Sequence, residues 1–413
     1  MSVKKLTVFM ALIAALSLPS VEAANQEIRA LFQPDSSQPN KNVFVNKTPN
    51  SGYCAQFPSE CADNDTFSIR VPIRFESTRQ ITPGAPADVL SVKVPANWRT
   101  VAVINQATGE SETVEVRISG IGSDYILSDT AAKLVGVTND LEGHQRLWAN
   151  SSWVYAPSPC QYSGVGAFTE SSYRFFWKTP VEGWCAKVAA YRIPAMSFDT
   201  LDFAYELRTP DPLRMSSGVY TGSLSYTVGP GGDFQMGAMM VPNDGNLTLD
   251  FVLEVQHTLK VDLPPGGNRV SLEPEGGWQR WLNLGQKPTK VYRDQPFFIS
   301  VSTRFKVWME CGESWGELGT TCNMKSLTSE KRAQFFTKLT LPSGITDSNG
   351  KDVTLRNLFH KGDWAIYQPG HYVDRKPGSL RFELLISSFH DVIQDGVGET
   401  FMGFVTVIWD SEV

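Results

Sequence analysis

Apolar and polar positions along this chain recur mainly with period two. Phe67, Ile69, Val71, Ile73 and Phe75 alternate with other residues over nine positions. That is the spacing of a half-buried strand, with Pro72 moving it toward a sheet edge. Shorter strands are expected at 89–94, 100–104, 113–118, 153–155 and 173–177. One short helix is expected to run through Val135, capped by Ser128 or Asp129. Residues 25–53 are rich in Asn, Pro, Ser and Lys and read as irregular, with a brief alternation at Ile28, Ala30 and Phe32.

From Leu201 the alternation lengthens. Leu201, Phe203, Tyr205 and Leu207 form one set; Leu247, Leu249, Phe251, Leu253 and Val255 form another, continued by Leu259, Val261 and Leu263. Gly229, Pro230, Gly231 and Gly232, and later Pro264, Pro265, Gly266 and Gly267, mark turns. Further strands are expected at 297–301, 305–309, 335–341, 380–386 and 401–409. The fold class implied is all-β: two immunoglobulin-like β-sandwich domains in tandem. The change in strand character places their boundary near residue 197.

The first residues depart from this pattern. Lys4 and Lys5 precede an apolar run from Leu6 to Leu18, and small residues follow at Ala23 and Ala24. This is the layout of a secretory signal peptide over 1–23, and the run is too short for a membrane span. The expected domains are then 24–197 and 198–413. No later segment is long and apolar enough to be a membrane helix. The formal net charge of −6, with no block of Lys or Arg, argues against nucleic acid as a partner.

Six cysteines occur in an exported chain, none in a CxxC motif, so three disulfides are expected rather than zinc or redox chemistry. Fifteen pairings are possible for six cysteines. Local pairing is expected, Cys54–Cys61, Cys160–Cys185 and Cys311–Cys322, because each pair falls within one strand-rich segment. The five histidines, His144, His257, His360, His371 and His390, show no metal-ligand spacing. No metal and no cofactor are expected.

Catalytic motifs are sparse. Gly312, Ser314 and Gly316 match GxSxG, but a nucleophile elbow needs a helix after the serine, and Gly319, Thr320 and Thr321 do not supply one. Glu273 and Glu275 flank Pro274 ahead of two glycines and read as a turn bearing solvated charges. The chain is expected not to be an enzyme. Asn46, Asn64, Asn150 and Asn246 lie in N-x-S/T triplets, which arise readily by chance.

Two segments suggest binding. Trp148, Asn150, Trp153, Tyr155, Gln161, Tyr162 and Tyr173 combine aromatic and polar groups as small-ligand sites do; each aromatic could equally fill a core. Near the C-terminus, Phe401, Phe404, Val405, Val407, Ile408 and Trp409 form an apolar strand. It is either an ordinary buried strand or one beside an empty position in its sheet, which a partner chain would have to cover.

At this point several stretches resemble one family. "TPDPLRMSSGVYTGSLSYTVGPGGDF" (209–234), "LDFVLEVQH" (249–257), "LEPEGGWQRWL" (272–282) and the ending "FMGFVTVIWDSEV" are similar to the pilin domain of two-domain tip adhesins of bacterial chaperone–usher pili. "SGYCAQFPSEC" (51–61) and "GWC" (183–185) are similar to the same group. The resemblance implies a C-terminal pilin fold lacking its last strand and awaiting a donor strand. It implies four partners: a periplasmic pilus chaperone, an outer-membrane usher, a neighbouring pilus subunit, and a surface receptor such as a glycan. It also implies a location at the pilus tip on the cell surface. Competing readings are a minor pilus subunit without receptor binding, a secreted carbohydrate-binding module and a secreted hydrolase.

Overall fold

The structure, a computed structural model, describes residues 24–313, 319–360, 365–385, 387 and 399–411. The expected signal peptide, together with Ser314 and His390, lies outside the described residues. Strands dominate, and they gather around two large hydrophobic cores, with a small third cluster beside the Cys54–Cys61 turns.

The first core is organised by one long strand, Ser111–Leu127. Its first half pairs with Arg99–Asn105, and its second half with Ser172–Lys178 and Met196–Phe198. Strand Leu201–Arg208 runs alongside the middle, antiparallel to both Ser111–Leu127 and Phe67–Val71. Gly218–Thr227 then joins Arg99–Asn105 to Asn246–Val255. The far edge is closed by Ala24–Phe32, which lies parallel to Asn246–Val255 in register from Ala24–Leu247 to Phe32–Val255. The segment read as irregular therefore opens with a nine-residue strand. Its alternation at Ile28, Ala30 and Phe32 faces the core, while the partner strand is too distant in sequence to be inferred locally.

These pairings correct the boundary near residue 197. Phe203, Tyr220, Tyr226, Leu249 and Phe251 are buried in the same core as Ile28, Ile69 and Val116. The second core draws on residues from Leu259 onward. The division falls between Val255 and Leu259. The longer alternation after Leu201 marks longer strands in the same sheet, not a new domain.

In the second core one sheet runs Leu259–Asp262, Val291–Val301, Val373–Leu384, Arg332–Thr340, Thr321–Ser326 and Phe401–Met402. The other runs Ile345–Asp347, Ala365–Pro369, Phe305–Cys311 and Val405–Asp410. Phe297, Ile299, Val307, Met309, Leu339 and Tyr367 fill the space between them. The chain is all-β, with two sandwich-like cores in tandem.

All three expected disulfides are present: Cys54–Cys61, Cys160–Cys185 and Cys311–Cys322. The expected helix is Ala131–Val135, but Thr130 rather than Ser128 or Asp129 caps it, accepting from the Lys133 amide. A second helix, Asp140–Arg146, follows, capped by Asn139. Two more short helical turns, Tyr53–Gln56 and Pro58–Asp63, carry the Cys54–Cys61 bridge.

Candidate functional site: an open groove in the second core

The terminal strand Val405–Asp410 pairs only with Phe305–Cys311 among the described strands, from Val405–Cys311 to Asp410–Lys306. On the opposite sheet, Leu259–Asp262 is likewise an end strand, bonded among the described strands only to Val291–Val301. Between these two unpaired edges runs an apolar groove of about 580 Å³. Val261, Leu263, Val270 and Leu272 line one side; Phe404, Val405, Val407 and Trp409 line the other. Phe297, Phe335, Leu380 and Phe382 form the floor.

The alternation of the terminal strand explains which side chains face inward. Val405, Val407 and Trp409 pack against the core, and Trp409 meets Phe305 with ring centroids 5.9 Å apart. Phe404 lines the groove with 63% of its surface exposed. Of the strand residues expected to contact a donor, Phe401 and Ile408 are not in the groove wall. Phe401 pairs with Ser326 in the other sheet, and Ile408 has the opposite pleat parity to Val407 and Trp409. The residues missed from sequence are those of the facing wall and the floor. The alternation Leu259, Val261, Leu263 signalled the wall, but not that its outer edge is open.

The expected binding segment fares differently. Trp148, Trp153 and Tyr173 are 2%, 0% and 3% exposed, and belong to the first core. Trp148 Nε1 donates to Tyr125 Oη at 3.1 Å, Tyr125 Oη donates to His144 Nδ1 at 2.7 Å, and His144 Nε2 donates to the Thr169 carbonyl at 2.9 Å. Trp153 stacks on Trp177 at 5.0 Å, and Tyr173 donates to Ser152 Oγ at 3.1 Å. This removes those three aromatics from any surface platform: their hydrogen bonds and ring contacts are made inside.

Asn150, Tyr155, Gln161 and Tyr162 are exposed but do not share one site. Asn150 and Tyr155 border a hollow of about 200 Å³ with Lys187. The buried Lys187 ammonium donates to the Ser151 and Ser152 carbonyls at 3.1 and 3.0 Å. Burial without a carboxylate partner pulls it down to about 8. Gln161 borders a different pocket. Of the carboxylates considered for catalysis, Glu273 faces Arg293 at 3.5 Å.

No family model matches the chain, and no curated protein matches it in sequence. Among solved structures the chain is similar to CfaE, the adhesive subunit of CFA/I fimbria of enterotoxigenic Escherichia coli, at 9% identity, covering 94% of this chain and 92% of that one with a TM-score of 0.26. It is similar also to a CsuC–CsuE chaperone–tip adhesion subunit pre-assembly complex from archaic chaperone–usher Csu pili of Acinetobacter baumannii, at 9% identity, covering 94% and 99% with a TM-score of 0.21.

Proposed function

We infer that this chain is a pilus tip adhesin whose second core accepts a strand from another protein. The observation that carries the reading is the groove between two unpaired strand edges with a floor of Phe297, Phe335, Leu380 and Phe382. Unpaired backbone beside exposed apolar side chains is costly in water and invites strand addition. A single inserted strand satisfies both edges and covers the floor at once. A periplasmic chaperone would supply that strand first, and a neighbouring pilus subunit would replace it at the outer-membrane usher.

The first core, from Ala24 to Val255, is larger than the strand-accepting unit, and the hollow of about 500 Å³ at its edge is lined largely by polar residues such as Gln33, Asp35, Gln38 and Lys41 rather than by an apolar floor. That supports a receptor-binding role for it, and favours an adhesin over a minor subunit. The protein acts by binding rather than by catalysis, at the surface end of the export route.

The test appends an alternating apolar strand to the full chain through a flexible linker and expresses both forms in a periplasm without the chaperone. The strand-bearing form is expected to be a soluble monomer with a cooperative melt for the second core; the parent is expected to self-associate. A monomeric parent melting at the same temperature as the strand-bearing form overturns the reading.

A further inference from the structure

A second pocket lies at a small separate cluster of Tyr53, Cys54, Cys61, Val165, Phe176 and Ala204, where the disulfide-bridged turns Tyr53–Gln56 and Pro58–Asp63 cap the sheet. It holds about 160 Å³, below the roughly 300–1,000 Å³ of drug-sized sites, so it suits one small ring rather than an extended chain. Its floor is rigid. Tyr53 stacks face to face on Phe176 with centroids 4.2 Å apart and planes 5° apart, and Cys54–Cys61 fixes the turns above.

Ser119 enters this pocket through a break in strand register. Strand Leu201–Arg208 pairs Ala204 with Gly120 and then Tyr205 with Ile118, so Ser119 is the extra residue of a β-bulge. Bulges re-aim a side chain and cluster beside functional sites. The Ser119 hydroxyl is buried and has no hydrogen-bond partner. The Tyr53 hydroxyl, on a side chain 3% exposed, is buried as well, and burial together with the Glu60 carboxylate beside it holds its proton on. A buried hydroxyl left unpaired forfeits the hydrogen bonds it makes with water in the unfolded chain. The unpartnered Ser119 hydroxyl, in one pocket with the Tyr53 hydroxyl, marks a place prepared for a ligand's polar groups.

The charges around it cancel. Arg117 grips Glu206 through two hydrogen bonds of 2.9 Å, and Lys178 pairs with Glu60. No unpaired charge is left to attract an ion. What remains are hydroxyls, with the Gln161 amide at the rim; these groups both donate and accept, as sugar hydroxyls do.

We propose that this pocket, built on Tyr53 and Ser119, binds one neutral pyranose ring of a surface glycan. Its biological purpose rests on the adhesin reading, but its chemistry does not. The test titrates the full chain with methyl glycosides of glucose, galactose, mannose and N-acetylglucosamine, and with N-acetylneuraminic acid as an anionic control, reading saturation-transfer NMR. At least one neutral glycoside is expected to bind, with affinity reduced ten-fold or more in both Tyr53→Phe and Ser119→Ala. Because Ser119→Ala deletes an unpartnered hydroxyl, its melting temperature is expected to hold or rise; a purely structural role would lower it. Absence of neutral-glycoside binding, binding that survives both substitutions, or binding of the acidic sugar alone overturns the proposal. The strand-addition experiment separates the two readings. A chain that accepts a strand but ignores neutral sugars remains an adhesin with its site elsewhere. One that binds sugar but gains nothing from the strand keeps the pocket and loses the adhesin assignment.

Discussion

Trp409 packs against Phe297 with ring centroids 5.1 Å apart and planes inclined at 62°. This contact joins the terminal strand to the floor of the groove across the open side of the second core. Trp409→Ala is expected to destabilise the second core by about 2 kcal/mol, less than for a fully buried tryptophan because this one is partly exposed. Urea melts of the strand-bearing form should show the loss. An unchanged midpoint would mean that the contact carries no weight.

Val407 faces the groove from the same strand. Val407→Asp is expected to cut strand uptake by more than ten-fold, since an unpaired carboxylate would be enclosed by the incoming strand. Pull-down of the chain by an immobilised donor-strand peptide measures this. Ile408→Asp, next in the strand but outside the groove wall, should be far milder; equal losses would contradict the assigned faces.

The buried aromatics separate packing from recognition. Trp153→Ala should cost about 3–5 kcal/mol, the usual range for emptying a core tryptophan site. Tyr162→Ala, at a position 59% exposed, should stay within about 0.5 kcal/mol. Thermal melts of both variants check the pair, and comparable losses would place Tyr162 in the core against its observed exposure.

Asp202 has a side chain 2% exposed and takes both Arg70 Nε and Nη2 at 2.7 Å, with Arg174 Nη2 at 3.5 Å. Asp202→Asn leaves the Arg70 and Arg174 guanidinium groups to be offset by the more distant Asp124 carboxylate, 3.9 Å from Arg70 Nη2. Removing one partner of a buried pair costs about 3 kcal/mol or more. The urea midpoint should fall with little change in slope; stability equal to the parent would show the pair to be dispensable.

Stability should also depend on mildly acidic pH. Burial lowers the proton affinity of both His144 and His257. His257 Nε2 donates to the Met215 carbonyl at 2.9 Å, and Nδ1 accepts from Ser302 Oγ at 3.1 Å, so the ring is held neutral where the two cores meet. In the unfolded chain both rings gain a proton near pH 6.5. Their contribution is therefore complete above that value and is lost as pH falls through 6.5 toward the lower folded values. Melting temperature should drop between pH 7.5 and 5.5. Replacing both histidines by glutamine should flatten the profile, and a double variant with the parent's slope would refute the assignment.

The sequence disclosed whatever depends on neighbours. Alternation found most strands, cysteine spacing found the three bridges, and the apolar run ending at Trp409 pointed to one groove wall. What it did not disclose depends on partners far away. The strand at Ile28 is held by Asn246–Val255, and only that pairing shows that residues 201–255 complete the first core. Trp148 and Trp153 looked like a binding platform because aromatic content does not reveal direction; Tyr125 and Trp177 draw them inward. Ser119 carried no signal, since a bulge is a relation between two strands and not a property of either.

The parallel seam between Ala24–Phe32 and Asn246–Val255 sets an order of events for a chain that emerges N-terminus first. The Ala24 amide reaches the Asp244 carboxylate across 220 residues of sequence. The opening strand must therefore wait, its Ile28 and Phe32 still wet, until nearly the whole first core has emerged. Closure of so long a loop is entropically expensive and slow. The strand that ends this wait finishes at Val255, directly before Leu259–Asp262 supplies one lip of the groove. One core seals just as the other begins to form with its gap uncovered, so a protective partner is needed at the moment the first half no longer requires one.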